Sequence, residues 1–188
     1  MNIFDEAINF AVAAHNGMYR KEGETPYILH PMEAAVIAGT MTNEPEIIAA
    51  AILHDTVEDT AVTLKEIKDR FGNRIAHLVS SETENKREDF PPDLTWQIRK
   101  EESLEVLRNT DDIGVKILWL SDKLSNMRSF YRKYKKCGDA LWQNFNQKDK
   151  NKQFWYYNTI ADLLIDLKEY EAWKEYKWLI NKVFNKGE

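Results

Sequence analysis

The seven residues from Ile47 to Leu53 are all apolar, and a dense knot of ionisable groups follows at once: His54, Asp55, Glu58 and Asp59. Read as a helix, the apolar run is a buried one, and it carries the cluster out at its end. At helical spacing His54 lies over Glu58 and Asp55 over Asp59. Three carboxylates and an imidazole so close together repel one another unless something positive sits among them. A divalent metal is the economical answer, and imidazole with carboxylate is a ligand set that suits Mn, Fe, Zn or Ni.

The rest of the chain fits around such a helix. It has 188 residues, enough for one domain with a full core, and strand signals are nearly absent beside pervasive helical periodicity. We therefore expect an all-α, single-domain helical bundle over 1–188. A net charge of -5 disfavours nonspecific nucleic-acid binding. No apolar run approaches membrane-spanning length, and the N-terminus lacks the basic start of a signal peptide. One cysteine, Cys137, rules out an internal disulfide and fits a reducing cytoplasm.

Residues 3–16 make a first helix stopped by Gly17, with His15 in its last turn, where a cation suits the helix dipole. A polar loop follows, with Arg20 and Lys21 adjacent in it. His30 precedes Pro31, which pushes it out of helical geometry to a helix entrance. Thr63 to Glu66 reads as a capping box for a helix that runs to Phe71 and stops near Gly72, before a short helix over 73–80 that carries His77 as an ordinary residue. Residues 81–93 read as a polar loop whose Glu82, Glu84, Lys86 and Arg87 either border a pocket or are simply solvated. A long helix from Ile113 to about Lys136 buries Ile117, Leu118, Leu120, Leu124 and Met127, and Asp122 interrupts that stripe. A carboxylate there is costly unless it is paired or bound to metal. Asn126 lies one turn on. The stretch Arg128, Arg132, Lys133, Lys135, Lys136 is a solvated helix end, or in part a phosphate-facing one. The aromatic residues of 139–185 form helices that seal the bundle, or alternatively a homo-oligomer surface.

Four ordered segments, AHNGMYRKEGETPYILHP (14–31), AAAILHDTVEDT (49–60), VTLKEIKDRFGNRIAHLV (62–79) and WLSDKLSNMRSF (119–130), resemble the HD-domain hydrolases of the RelA/SpoT family, and above all the small stand-alone alarmone hydrolases. The resemblance implies a metal-dependent enzyme that removes the 3′-pyrophosphate of (p)ppGpp. It implies His30, His54, Asp55 and Asp122 as ligands of a divalent metal, most often Mn, and Glu58 and Asp59 as the catalytic carboxylates. It places Arg20, Lys21 and Asn126 against the nucleotide. The chain departs from the family pattern around the last ligand, where Lys123 and Ser125 replace an arginine and a histidine, and at Ser81-Glu82-Thr83-Glu84, with Lys86 shifted. Those departures bear on the substrate. An adenine analogue of the alarmone, NADPH, or a nucleotide-binding module without turnover are the alternatives.

Overall fold

The structure is a computed structural model that describes residues 2–20, 25–87 and 89–184. Lys21 lies outside the described residues. Nine α-helices are described: α1 (Ile3–Ala14), α2 (Leu29–Gly39), α3 (Pro45–Leu53), α4 (Thr56–Asp59), α5 (Leu64–Glu82), α6 (Pro92–Arg108), α7 (Ile113–Cys137), α8 (Lys150–Leu163) and α9 (Glu171–Phe184). Short 3-10 turns cover Gly138–Asn144 and Ile165–Leu167. Among the described residues there is no strand, only an isolated bridge between Tyr19 and Pro26. The all-α expectation holds. No described helix is long and apolar enough to cross a membrane.

The apolar run does become the central helix. α3 packs against α1, α2, α5 and α7. Its small residues allow this crowding: Ala49, Ala50 and Ala51 are fully buried, and so are Ala7 and Ala11 of α1 and Ala34 and Ala38 of α2. Pro45 opens α3 in its first turn, where a missing N–H costs nothing. The long α7, about 37 Å at 1.5 Å per residue, packs on α2, α3, α5 and α9. Its Leu118, Trp119, Leu120, Leu124 and Met127 are buried. Each such aliphatic side chain contributes roughly 1.5–3 kcal/mol, so these neighbours hold in place the helix face that carries Asp122 inside.

α5 has the expected capping box, with the Thr63 side chain bonded to the Glu66 backbone and the Glu66 carboxylate to the Thr63 backbone. Gly72, at φ 88°, breaks the helix into two arms, a conformation strained for any residue with a side chain. The second arm runs on to Glu82, two residues further than the sequence suggests. The loop that follows is therefore shorter than 81–93, and Glu82 is a buried end-of-helix residue.

A second difference concerns His30. It lies inside the first turn of α2 and not outside it, its N–H bonded to the Tyr27 carbonyl at 2.9 Å. Pro31 occupies the first turn as well, where helix N–H groups have no intrahelical acceptor, so the helix can begin before the proline.

The last third closes the bundle with aromatic rings. Trp142 stacks on Phe184 at 5.1 Å, and Phe130 of α7 meets Trp142, Phe145 and Tyr157 edge-on. Trp96 of α6 meets Trp155 and Tyr156 of α8 in the same way.

Candidate functional site

Four residues that the sequence singles out converge where α2, α7 and the α3–α4 junction meet. His30 Nε2 lies 3.0 Å from Asp122 Oδ1 and 3.3 Å from Asp55 Oδ2. His54 Nε2 lies 3.3 Å from Asp55 Oδ2 and 3.5 Å from Asp122 Oδ1. Donor atoms of His30, His54 and Asp122 lie within 4.8 Å of one another, and all three residues are buried.

The other ring nitrogens decide what these contacts mean. His54 Nδ1 lies 2.8 Å from the Ala51 carbonyl oxygen, which can only accept, so Nδ1 carries the hydrogen. Ser125 Oγ donates to Glu33 Oε2 at 2.8 Å, which leaves its lone pairs for His30 Nδ1–H at 2.9 Å. Both imidazoles therefore turn the lone pair of Nε2 toward carboxylate oxygens. His54 Nε2 is buried and has no hydrogen-bond partner among the described residues. Lone pairs facing carboxylates need a cation between them. Ligands held at about 2.0–2.2 Å from one ion lie roughly 3 Å apart or slightly more, which matches the observed spacing. Two imidazoles and two carboxylates fit a divalent metal.

Without such an ion, a proton serves. Burial works against the His54 imidazolium, but Asp55 and Asp122 outweigh burial and hold its pKa well above the ordinary histidine value. Asp122, buried beside Lys123 and both imidazoles, is held well below the carboxylate range. Lys123 bonds to Asp122, lies 3.6 Å from Glu82 and packs over the Trp119 ring at 4.9 Å. Burial and the nearby Asp122 push Glu82 up to about 7, although Lys123 pulls it down.

The carboxylate pair beside the ligands is divided between two roles. The Tyr27 hydroxyl, with one hydrogen to share, lies 2.7 Å from Asp55 Oδ2 and 2.6 Å from Asp59 Oδ2. Asp59 also accepts from Lys86 at 2.5 Å. Glu58 accepts from the Glu84 backbone at 3.2 Å and lies 4.0 Å from Lys86. Burial, with Asp55 and Glu84 nearby, pushes Glu58 up to about 7. Asn126 donates to Asp122 at 2.7 Å and accepts from Arg20 at 2.6 Å, so a residue expected at the nucleotide also steadies a proposed ligand.

Several neighbours are not legible as site residues. Tyr27 is one, as is Glu33 behind Ser125, whereas Lys123 and Glu82 stand out only as departures from the family pattern. His15 differs from its expectation. It is not a cation completing a helix dipole but a buried ring, 2% exposed, stacked on Tyr27 at 4.9 Å. Burial pushes its pKa down against the pull of Asp55 and Asp59, so it stays neutral. His77 is an ordinary exposed helical residue, as expected.

A cavity of about 610 Å³ opens on the cluster. Arg20, Lys86, Arg99 and Lys100 line it together with the carboxylates. Its far wall comes from the last third of the chain, where Gln153, Tyr156 and Tyr157 line it. Glu84, in the stretch expected to border a pocket or to be solvated, lines this cavity and is buried between Arg99 at 2.9 Å and Lys100 at 2.5 Å. A second cavity of about 320 Å³ shares Arg20 and His30 with the first.

Comparison with known proteins gives a consistent picture. The family profile described as an HD domain matches residues 7–148. A guanosine-3′,5′-bis(diphosphate) 3′-pyrophosphohydrolase of Aquifex aeolicus is 38% identical over 125 residues, covering 66% of this chain and 17% of the relative. A GTP pyrophosphokinase of Myxococcus xanthus is 33% identical over 131 residues, again 17% of its length. The chain thus spans less than a fifth of these curated relatives. Among solved structures, one from Listeria monocytogenes EGD-e superposes with a TM-score of 0.72 and 31% identity, over 84% of this chain and 99% of that one. A metazoan ortholog of SpoT that hydrolyses ppGpp shares the fold at a TM-score of 0.73 and 23% identity, over 98% of this chain and 94% of that one.

Proposed function

Because the chain belongs to the HD-domain family, we propose that the cluster is the centre of a metal-dependent phosphohydrolase that removes the 3′-pyrophosphate from ppGpp or pppGpp. The observation that carries this reading is the pair of imidazoles whose Nδ1 hydrogens are both committed elsewhere, leaving two Nε2 lone pairs against two carboxylates. The kinship to a 3′-pyrophosphohydrolase supports the choice of substrate. His30, His54, Asp55 and Asp122 would hold the ion; the set suits Mn, Fe, Zn or Ni, and the family resemblance makes Mn the reading adopted.

A bound divalent ion supplies Lewis acidity and lowers the pKa of water at neutral pH. The chain's own residues do the rest. Glu58, poised near neutrality, accepts the proton of the water that attacks phosphorus. The P–O bond to the ribose 3′-oxygen breaks, pyrophosphate leaves, and the 3′-oxygen takes up a proton to give GDP or GTP. Tyr27 and Lys86 hold Asp59 in place beside that exchange. Lys86 and Arg20 offer positive charge to the pyrophosphate, which the net charge of -5 does not. Arg20, packed 5.4 Å from the centroid of the Tyr27 ring, is positioned to lie against the nucleotide.

The test is pyrophosphate release from ppGpp by the purified protein, with and without Mn²⁺, for the parent and for Asp55→Ala and Glu58→Ala. Metal-dependent release that both substitutions abolish is expected. Release at the parent rate by both variants would show the site to be misassigned. Inactivity of the metal-loaded parent on ppGpp, with activity on the adenine analogue or NADPH, would replace the substrate.

A further inference from the structure

We propose that the second cavity is an anion subsite that receives the 5′-phosphoryl end of a nucleotide phosphorylated at both ends. This rests on the reading of the first cavity as the centre of a nucleotide phosphohydrolase.

The two cavities differ in charge. The first is mixed, lined by six carboxylates, from Asp55, Glu58, Asp59, Glu82, Glu84 and Asp122, against five cations, from Arg20, Lys86, Arg99, Lys100 and Lys123. The second is lined by Arg20, Arg132, Lys133 and Lys136 against one carboxylate, Glu33. Glu33 already accepts from Ser125 at 2.8 Å and from Arg128 at 3.2 Å. On a chain of net charge -5, four cations around one concavity run against the overall balance. The Ser125 and Ser129 side chains line the same space.

The order along α7 gives the arrangement a direction. Asp122, Asn126, Ser129, Lys133 and Lys136 recur at intervals of three and four, and Arg132 lies three after Ser129 and four before Lys136, so they share one face. At 1.5 Å per residue, Arg132 sits about 15 Å and Lys136 about 21 Å along the axis from Asp122. Helical side chains lean toward the N-terminus, so the long arms of Arg132 and Lys136 reach back toward the metal end. The face thus offers a metal-binding carboxylate at one end, an amide and a hydroxyl in the middle, and cations at the other. This order suits a nucleotide whose 3′-pyrophosphate lies at the metal and whose 5′-phosphates point along the helix. Elsewhere in the basic stretch, Arg128 is tied to Glu33 and Glu175, and Lys135 packs over Tyr131.

The experiment compares kcat/KM on ppGpp with kcat/KM on guanosine 3′-diphosphate, which carries a 5′-hydroxyl. Alongside it, GDP binding is titrated in Mn²⁺. Both are done with the parent and with the Arg132→Gln, Lys136→Gln double variant. The parent is expected to prefer ppGpp by tenfold or more, and the double variant to lose most of that preference and to bind GDP at least fivefold more weakly. A preference unaltered by the substitutions, or a loss equal on both substrates, would overturn the subsite. If the parent hydrolyses neither substrate, the hydrolase reading fails by itself. GDP binding then decides the subsite: dependence on Arg132 and Lys136 supports it, and indifference to them overturns it.

Discussion

Ser125→Ala is the most informative single substitution, because it leaves all four proposed ligands in place and removes only what orients one of them. Ser125 is 2% exposed, accepts from His30 Nδ1 at 2.9 Å and donates to Glu33 Oε2 at 2.8 Å. Glu33 is held in turn by Arg128, whose guanidinium makes two bonds to Glu175, at 2.7 and 2.6 Å. Without the hydroxyl, His30 Nδ1 has no acceptor at that position and the ring is free to carry its hydrogen on the nitrogen that faces the metal. A hydrogen bond tied to a charged group is worth about 1.5–3 kcal/mol. Loss of such an outer partner weakens metal binding about 10–100-fold, or about 1.4–2.7 kcal/mol at 1.36 kcal/mol per decade, so the two magnitudes agree. The assay is calorimetric titration of Mn²⁺ into parent, Ser125→Ala and Ser125→Thr. The Ala variant should bind 10–100-fold more weakly, and Thr, which keeps the hydroxyl, should recover most of the affinity even if its extra methyl lowers stability. An Ala variant that binds Mn²⁺ within threefold of the parent would refute the tautomer argument.

Three further outcomes follow from the geometry. Mn²⁺ at about a hundred times its Kd should stabilise the protein by about 2.7 kcal/mol, a rise in Tm of roughly 5–11 °C for a chain of this size; a melting curve indifferent to Mn²⁺ and to chelator would remove the metal from the site. Arg74 forms a two-pronged pair with Asp112 that pulls the carboxyl down to about 2, away from the active cavity. Because that pKa is depressed, its contribution is present above about pH 4 and fades as pH falls toward 2. The full shift corresponds to roughly 2.4 kcal/mol, which solvent screening of the half-buried pair reduces to about 1 kcal/mol; Arg74→Gln should show that deficit in urea unfolding at pH 6 and a smaller one at pH 3, and an equal deficit at both would refute the linkage. Gly114→Ala sets a helix-propensity gain of about 1 kcal/mol against a new Cβ that would lie 2.5 Å from Arg74 Nη2 and 3.0 Å from Ile47 Cδ1. Overpacking costs about 1–3 kcal/mol, so a net loss of about 1 kcal/mol is expected, and a gain in Tm would show that the contact relaxes.

Much of the fold was legible because helices announce themselves locally. The stripe through Ile117, Leu120, Leu124 and Met127, the Thr63–Glu66 box and the break at Gly72 each depend on residues a turn or two apart. The errors lie where a local rule met a tertiary constraint. The residue before a proline usually avoids helical geometry, but His30 and Pro31 both fit in a first turn, where the N–H that Pro31 lacks would have no intrahelical acceptor. Glu82 looked like loop because it is charged, yet α5 carries it inside, where Lys123 from α7 offsets part of its burial. His15 looked like a helix-end cation because nothing nearby in the sequence reveals that Tyr27 will cover it.

The site divides along the same line. Asp122 stood out because a carboxylate in an apolar stripe is costly, and its cost is met by Lys123, Asn126 and the two imidazoles. Its partners could not be read from spacing, since His30 meets Ser125 across 95 positions of sequence and Tyr27 meets Asp59 across 32. The last third of the chain was read as a seal for the core, and its aromatic residues do pack that way. Yet Gln153, Tyr156 and Tyr157 also form a wall of the larger cavity, and Glu175 of α9 anchors the relay that ends at His30 Nδ1. A seal needs only apolar area, whereas a relay needs one carboxylate at one distance. Substitutions at Glu175 should therefore act on metal binding through Arg128 and Glu33, while those at Trp142 and Phe184, which line neither cavity, should act on stability alone.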